Sequence, residues 1–206
     1  EVGLTSAGMK KILIGETLLY AIVMGFAIYS KISRKLVMEN FRGNMVNKMI
    51  FIGDLCLPEG VKFRIEDPHN IFGNNITIAN LEGPVINRES KLTKNSIGLY
   101  STNNIKCLFE QLNIKGVSLA NNHITDFHNS VKSTIDFLTE NSILYCGAGE
   151  NKEQASKEMV FNNLKTVFLA YGWKTIQCIP ATKTSEGINV LEPKKLLQDI
   201  IRVKNI

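Results

Sequence analysis

Two hydrophobic patterns alternate along the chain. Short continuous apolar runs predict strands, and apolar residues recurring every three or four positions predict helices. Met49-Ile50-Phe51-Ile52-Gly53-Asp54 is a run of the first kind. It reads as a fully buried strand with a carboxylate at its tip. Asn75 to Glu82 repeats the form, an apolar strand and then an acid, and Gly83-Pro84 stops it. Between the two, Leu55 to Phe72 reads as loop. Ile105, Leu108, Phe109 and Leu112 share a helical face over Thr102 to Leu112, with Asn103 or Asn104 as cap. Val131, Ile135 and Leu138 do the same over Asn129 to Thr139. Between these helices Gly116 to Ala120 climbs as a strand and breaks into Asn121-Asn122-His123. Ile143 to Cys146 is a strand running into Gly147-Ala148-Gly149, a tight turn that lacks the Gly-Lys-Ser/Thr of a phosphate-binding loop. A short helix over Asn151 to Glu158, a strand over Lys165 to Gly172, a loop from Cys178 to Asn189 and a helix over Val190 to Lys204 complete an α/β pattern.

The head differs. Ile12 to Tyr29 is apolar except at Gly15, Glu16, Thr17 and Gly25, with lysines before it and Lys31, Arg34 and Lys35 after it. Eighteen helical residues would reach about 27 Å, close to the hydrocarbon thickness of a bilayer. The segment is read as an N-terminal apolar helix within residues 1–37. It is a candidate membrane anchor, with an amphipathic or core helix as the alternative. Glu16 argues against burial in lipid. Residues 38–48 read as a polar linker, and the main domain as 49–206.

Composition narrows the possibilities. The 206 residues are 44% hydrophobic, enough to bury a core. Of the +5 net charge, most sits in the head, where seven Lys/Arg face three Glu before residue 49. The body shows no basic stripe interleaved with aromatics, so nucleic acid is not an expected partner. Cys56, Cys107, Cys146 and Cys178 are widely spaced without a C-x-x-C pair, and read as buried free thiols.

Three strand ends therefore carry polar chemistry: Asp54, Glu82 and Asn121-Asn122-His123. Each alone is equally a turn or a cap. Together, at the strand ends where α/β folds collect their sites, they suggest a divalent-metal centre, because converging carboxylates repel unless a cation or protons neutralise them.

On these motifs the chain resembles the CapA family of capsule and poly-γ-glutamate synthesis proteins, itself similar to calcineurin-like metallophosphoesterases. The matching residues are Gly53-Asp54, Asn80-Leu81-Glu82, Ala120-Asn121-Asn122-His123 with Asp126, Gly147-Ala148-Gly149 with Asn151, Val167-Phe168-Leu169-Ala170-Tyr171 and Gly187-Ile188. The resemblance implies an α/β fold, a metallophosphoesterase-like β-sandwich flanked by helices. It implies Asp54, Glu82 and Asn122 as metal ligands, His123 as the catalytic acid or electrophile, and Asn80 and Asn121 as their supports. The cofactor would be one or two divalent ions (Mn, Fe, Zn or Mg), and the partner an anionic polymer or phosphoester substrate, with subunits of a membrane-bound synthesis complex.

Two positions depart from the family pattern. Cys56 stands where metallophosphoesterases usually offer a His. A later His-x-Gly-x-Glu-type motif is absent, so the chain reads as truncated, with an incomplete fold and a partial metal site. His69 and His128 read as surface residues. The alternatives to a capsule-polymer protein are a plain metal-dependent phosphoesterase and a non-catalytic, membrane-tethered subunit.

Overall fold

The computed structural model describes residues 12–14, 17–23, 49–61, 63–86, 92 and 98–204. In chain order the elements are β1 (Ile12–Ile14), β2 (Thr17–Val23), β3 (Met49–Leu55), α1 (Pro68–Ile71), β4 (Ile76–Leu81), α2 (Ile105–Gln111), β5 (Ile114–Ser118), α3 (Ser130–Glu140), β6 (Leu144–Cys146), β7 (Ala148–Gly149), α4 (Lys152–Ala155), β8 (Met159–Phe161), β9 (Thr166–Tyr171), β10 (Gly187–Ile188) and α5 (Pro193–Val203).

Strands β3, β4, β5 and β6 form a parallel sheet in that order. Parallel neighbours need crossovers, and helices α2 and α3 supply two of them. One face of this sheet packs on those helices through Ala79, Leu81, Val117, Ile105, Leu108, Val131 and Leu138. The other face meets a second sheet, ordered β1-β2-β9-β8, through Ile78, Ala120, Cys146, Met159, Phe161, Phe168 and Ala170. Alternation along β9 explains the layering: Phe168 and Ala170 face the parallel sheet, while Val167, Leu169 and Tyr171 pack with Val203 of α5. Gly116 allows the sheets to come close, since a Cβ there would lie 2.5 Å from the Met159 sulfur.

Several expectations need correction. The head is not helical where it is described: β1 and β2 pair antiparallel, and β2 runs parallel to β9, Tyr20 opposite Phe168. A short apolar run suits a strand as well as a helix. Among the described residues no helix is long and apolar enough to cross a membrane. Residues 24–48, with the end of the apolar run and the whole predicted linker, lie outside the described set.

Strand β3 is not fully buried. It lies at the margin of its sheet, and Phe51, Gly53 and Asp54 are exposed. Of the four cysteines, all free, Cys146 and Cys178 are buried, Cys56 is half-buried and Cys107 is exposed. Cys107 lies off the Ile105–Leu108–Phe109 stripe that α2 buries. The 178–189 loop carries β10, which pairs with β7, and the 151–158 helix stops at Ala155 before strand β8.

Candidate functional site

Register builds the site. Asp54 of β3 stands opposite Asn80 of β4, and Asn80 opposite Ser118 near the end of β5. The polar residues of three neighbouring strands therefore reach one rim, at their carboxyl ends. Asn80 and Glu82 are two residues apart and so project to the same side.

The Asn80 amide ties the two acids together. Its Nδ2 donates to Asp54 Oδ1 at 2.8 Å and also to Glu82 Oε2. Asn80 is buried, Glu82 half-buried and Asp54 exposed. Burial pushes the Glu82 carboxyl up, and the Asp54 charge adds to that; the Asn80 hydrogen bond and His123 pull it down, and Asp126 adds a small upward push. The net direction is upward.

Asn121 fixes the third component. Its buried Nδ2 donates to the Leu81 carbonyl at 2.8 Å, and to Asn80 Oδ1 at 3.4 Å. Its Oδ1 accepts from the backbone N–H groups of His123 (3.1 Å), Ile124 (2.9 Å) and Gly83 (3.3 Å). One side chain thus folds the loop after β5 against the end of β4. His123, half-buried, points Nε2 towards Glu82 Oε1 at 3.9 Å and sets Nδ1 2.7 Å from Asp126 Oδ2. Asp126 is 2% exposed, and it also accepts from the Leu99 N–H at 3.2 Å.

Asp54, Asn80, Glu82, Asn121 and His123 are thus joined by direct contacts. Asn122 is half-buried at the same turn. His69 and His128 are exposed. Cys56 donates to the Tyr100 carbonyl (3.4 Å) and accepts from Ser101 Oγ (3.7 Å). Burial raises its thiol above the ordinary value, against the lowering effect of the Ser101 hydrogen bond, and the Glu82 charge raises it further. A thiol held this way is a poorer ligand than a thiolate.

Two further groups support the rim without any local sequence pattern that marks them. Asp126 stands three residues after His123, a spacing that a tight turn closes. The backbone of Leu99 and Tyr100, with the Ser101 hydroxyl, packs around Asp126 and Cys56.

Chemically, the rim offers two carboxylates, amides and an imidazole. These are hard oxygen donors and a nitrogen, suited to a divalent ion. The fit is partial: among the described residues no three His, Cys, Asp or Glu side chains are grouped to hold a metal ion.

The parallel sheet with helices on one face and an acid–amide–imidazole rim defines an α/β protein with a strand-end site. A family model described as "Bacterial capsule synthesis protein PGA_cap" matches residues 48–205, and the chain belongs to that family. No curated protein matches the chain.

Proposed function

We propose that this chain serves the synthesis or export of an anionic capsule polymer of the poly-γ-glutamate kind through the rim site, in a metallophosphoesterase-like sandwich. The single observation that carries the reading is the convergence of Asp54 and Glu82 on one Asn80 amide, with the His123 imidazole next to Glu82. Family membership supports the capsule role.

In this reading Asp54, Glu82 and Asn122 hold a divalent ion, which would supply Lewis acidity and charge neutralisation at an anionic substrate. Asn80 keeps the carboxylates together, and Asn121 sets the loop that presents His123. Nε2 of His123 faces the site, placed to give or take a proton at a phosphoryl or carboxyl oxygen, while Asp126 holds Nδ1. The substrate is an anionic polymer or a phosphoester. The partners are subunits of a membrane-bound complex.

Metal content of the purified protein tests this. Mn, Fe, Zn or Mg is expected in the wild type and is lost in Asp54→Ala/Glu82→Ala. Equal content in both overturns the metal assignment. A second reading, a non-catalytic subunit, draws on the lack of a complete three-donor group among the described residues. Normal polymer output from cells carrying Asp54→Ala/His123→Ala would select it.

A further inference from the structure

Next to the rim site, the carboxyl ends of β5, β6 and β9 meet. Gly172 follows β9 and packs so tightly that a Cβ there would sit 3.0 Å from the carbonyl oxygen of Ala120, the residue before Asn121. Asn189 locks this junction. Its N–H donates to the Gly147 carbonyl (2.8 Å), its carbonyl accepts from the Gly172 N–H (2.9 Å), and its Nδ2 donates to the Ala170 carbonyl (3.0 Å).

Beside Asn189 opens a cleft of about 180 Å³. At about 30 Å³ per liquid water, that is room for roughly six waters, the size of one small polar group with its hydration and well below a drug-sized ligand. Ala181, Ile188 and Asn189, all buried, line it, together with Lys152, Lys174 and Lys195. Glu192 is the carboxylate among the lining residues.

Lys195 is held in place. Its ammonium donates to Asn189 Oδ1 (3.0 Å) and Asp199 Oδ2 (2.7 Å), and lies 5.5 Å from the centre of the Tyr171 ring. An ammonium carries three donors, so one remains. Lys152 opens α4 with its backbone N–H on the Thr182 carbonyl, and Lys174 sits in a short turn after β9. Both are exposed, and neither makes an ion pair among the described residues. Asp199 offsets Lys195, which leaves two cations against Glu192.

We propose that this cleft binds a carboxylate or phosphate oxyanion, with Lys195 as the fixed donor on its wall and Lys152 and Lys174 as cations at its mouth. Lysine suits this task as a point charge on a long stem. The naming of a polymer as the source of that oxyanion rests on the capsule reading; the anion site itself rests on the cleft.

The full chain is titrated separately with inorganic phosphate and with poly-γ-glutamate, following the backbone amides of Ala181, Ile188 and Asn189 by NMR and affinity by calorimetry. Both ligands are expected to shift those amides, and added salt to weaken binding. Lys152→Ala/Lys174→Ala is expected to weaken binding roughly tenfold or more. Lys106→Ala/Lys115→Ala removes the same charge from exposed positions elsewhere and should leave affinity within about twofold, as for screened distant charges. Phosphate binding at the cleft without polymer binding supports an oxyanion site and takes the polymer out of the functional reading. No shift at the cleft with either ligand, or equal weakening by the two double variants, overturns the proposal. Metal content is measured independently, so failure of the rim site and failure of the cleft are distinguishable.

Discussion

His123 Nδ1 lies 2.7 Å from the buried carboxylate of Asp126, three residues further on. A carboxylate is acceptor-only, so the pair favours a proton on Nδ1 and leaves Nε2 directed at Glu82. Asp126 also accepts the Leu99 N–H. One carboxylate therefore orients the imidazole and fastens a neighbouring loop.

Asp126→Asn should keep an acceptor for Leu99 while weakening the hold on the ring. Nitrogen NMR of His123 is expected to show the Nδ1–H form in the wild type and a larger Nε2–H fraction in the variant. Asp126→Ala, which leaves the Leu99 N–H unsatisfied, should lose about 2 kcal/mol in urea unfolding. An unchanged tautomer balance in Asp126→Asn would mean that Asp126 is only a loop fastener.

A second prediction concerns pH. Asp199 is buried, which pushes its carboxyl up, but hydrogen bonds from Lys195 and Tyr171 and the charges of Lys195 and Arg202 outweigh this and hold it below its ordinary value. A folded-state value below the unfolded one contributes stability above about pH 4, and that contribution is lost as pH falls through the folded value. Lys195→Met leaves burial opposed only by Tyr171 and Arg202. The variant should be about 2 kcal/mol less stable at neutral pH, the scale for a hydrogen bond to a charged group. Its deficit should narrow below about pH 4, where the wild type loses the same term. Urea midpoints by circular dichroism across pH 3 to 7 check this; a deficit constant with pH would assign Lys195 a packing role alone.

Gly147 is the third. Its φ is +95°, and a Cβ would lie 2.7 Å from the Ala120 methyl and 2.8 Å from the Ala170 methyl. Neither methyl can move without its backbone. Gly147→Ala combines backbone strain with overpacking and should cost about 3 kcal/mol. Gly53→Ala, with nothing within 4 Å of the new methyl, should stay within about 0.5 kcal/mol of wild type. Urea unfolding of both separates the cases.

Strand positions were readable because their signal is local. The runs ending at Asp54 and Glu82 became β3 and β4, and the helical faces of 102–112 and 129–139 became α2 and α3. Short pairings were not. β7 and β10 have two residues each and exist only because Ala148-Gly149 and Gly187-Ile188 meet across 37 intervening positions. The apolar head carried a length and a composition, and both a helix and a paired strand satisfy those. Exposure of Asp54 and Cys107 follows from sheet order and helix facing, which composition does not encode.

By itself, the order of residues determined the α/β pattern, the strand ends at Asp54, Glu82 and Asn121-Asn122-His123, and the family, because each depends on neighbours a few positions apart. Only the tertiary structure decided that Asn80 clasps both acids, that Asp126 orients His123, and that Lys195 is pinned between Asn189 and Asp199. Those contacts come from register and packing between elements, and the energies that select a register are summed over the whole sheet rather than written at any one residue.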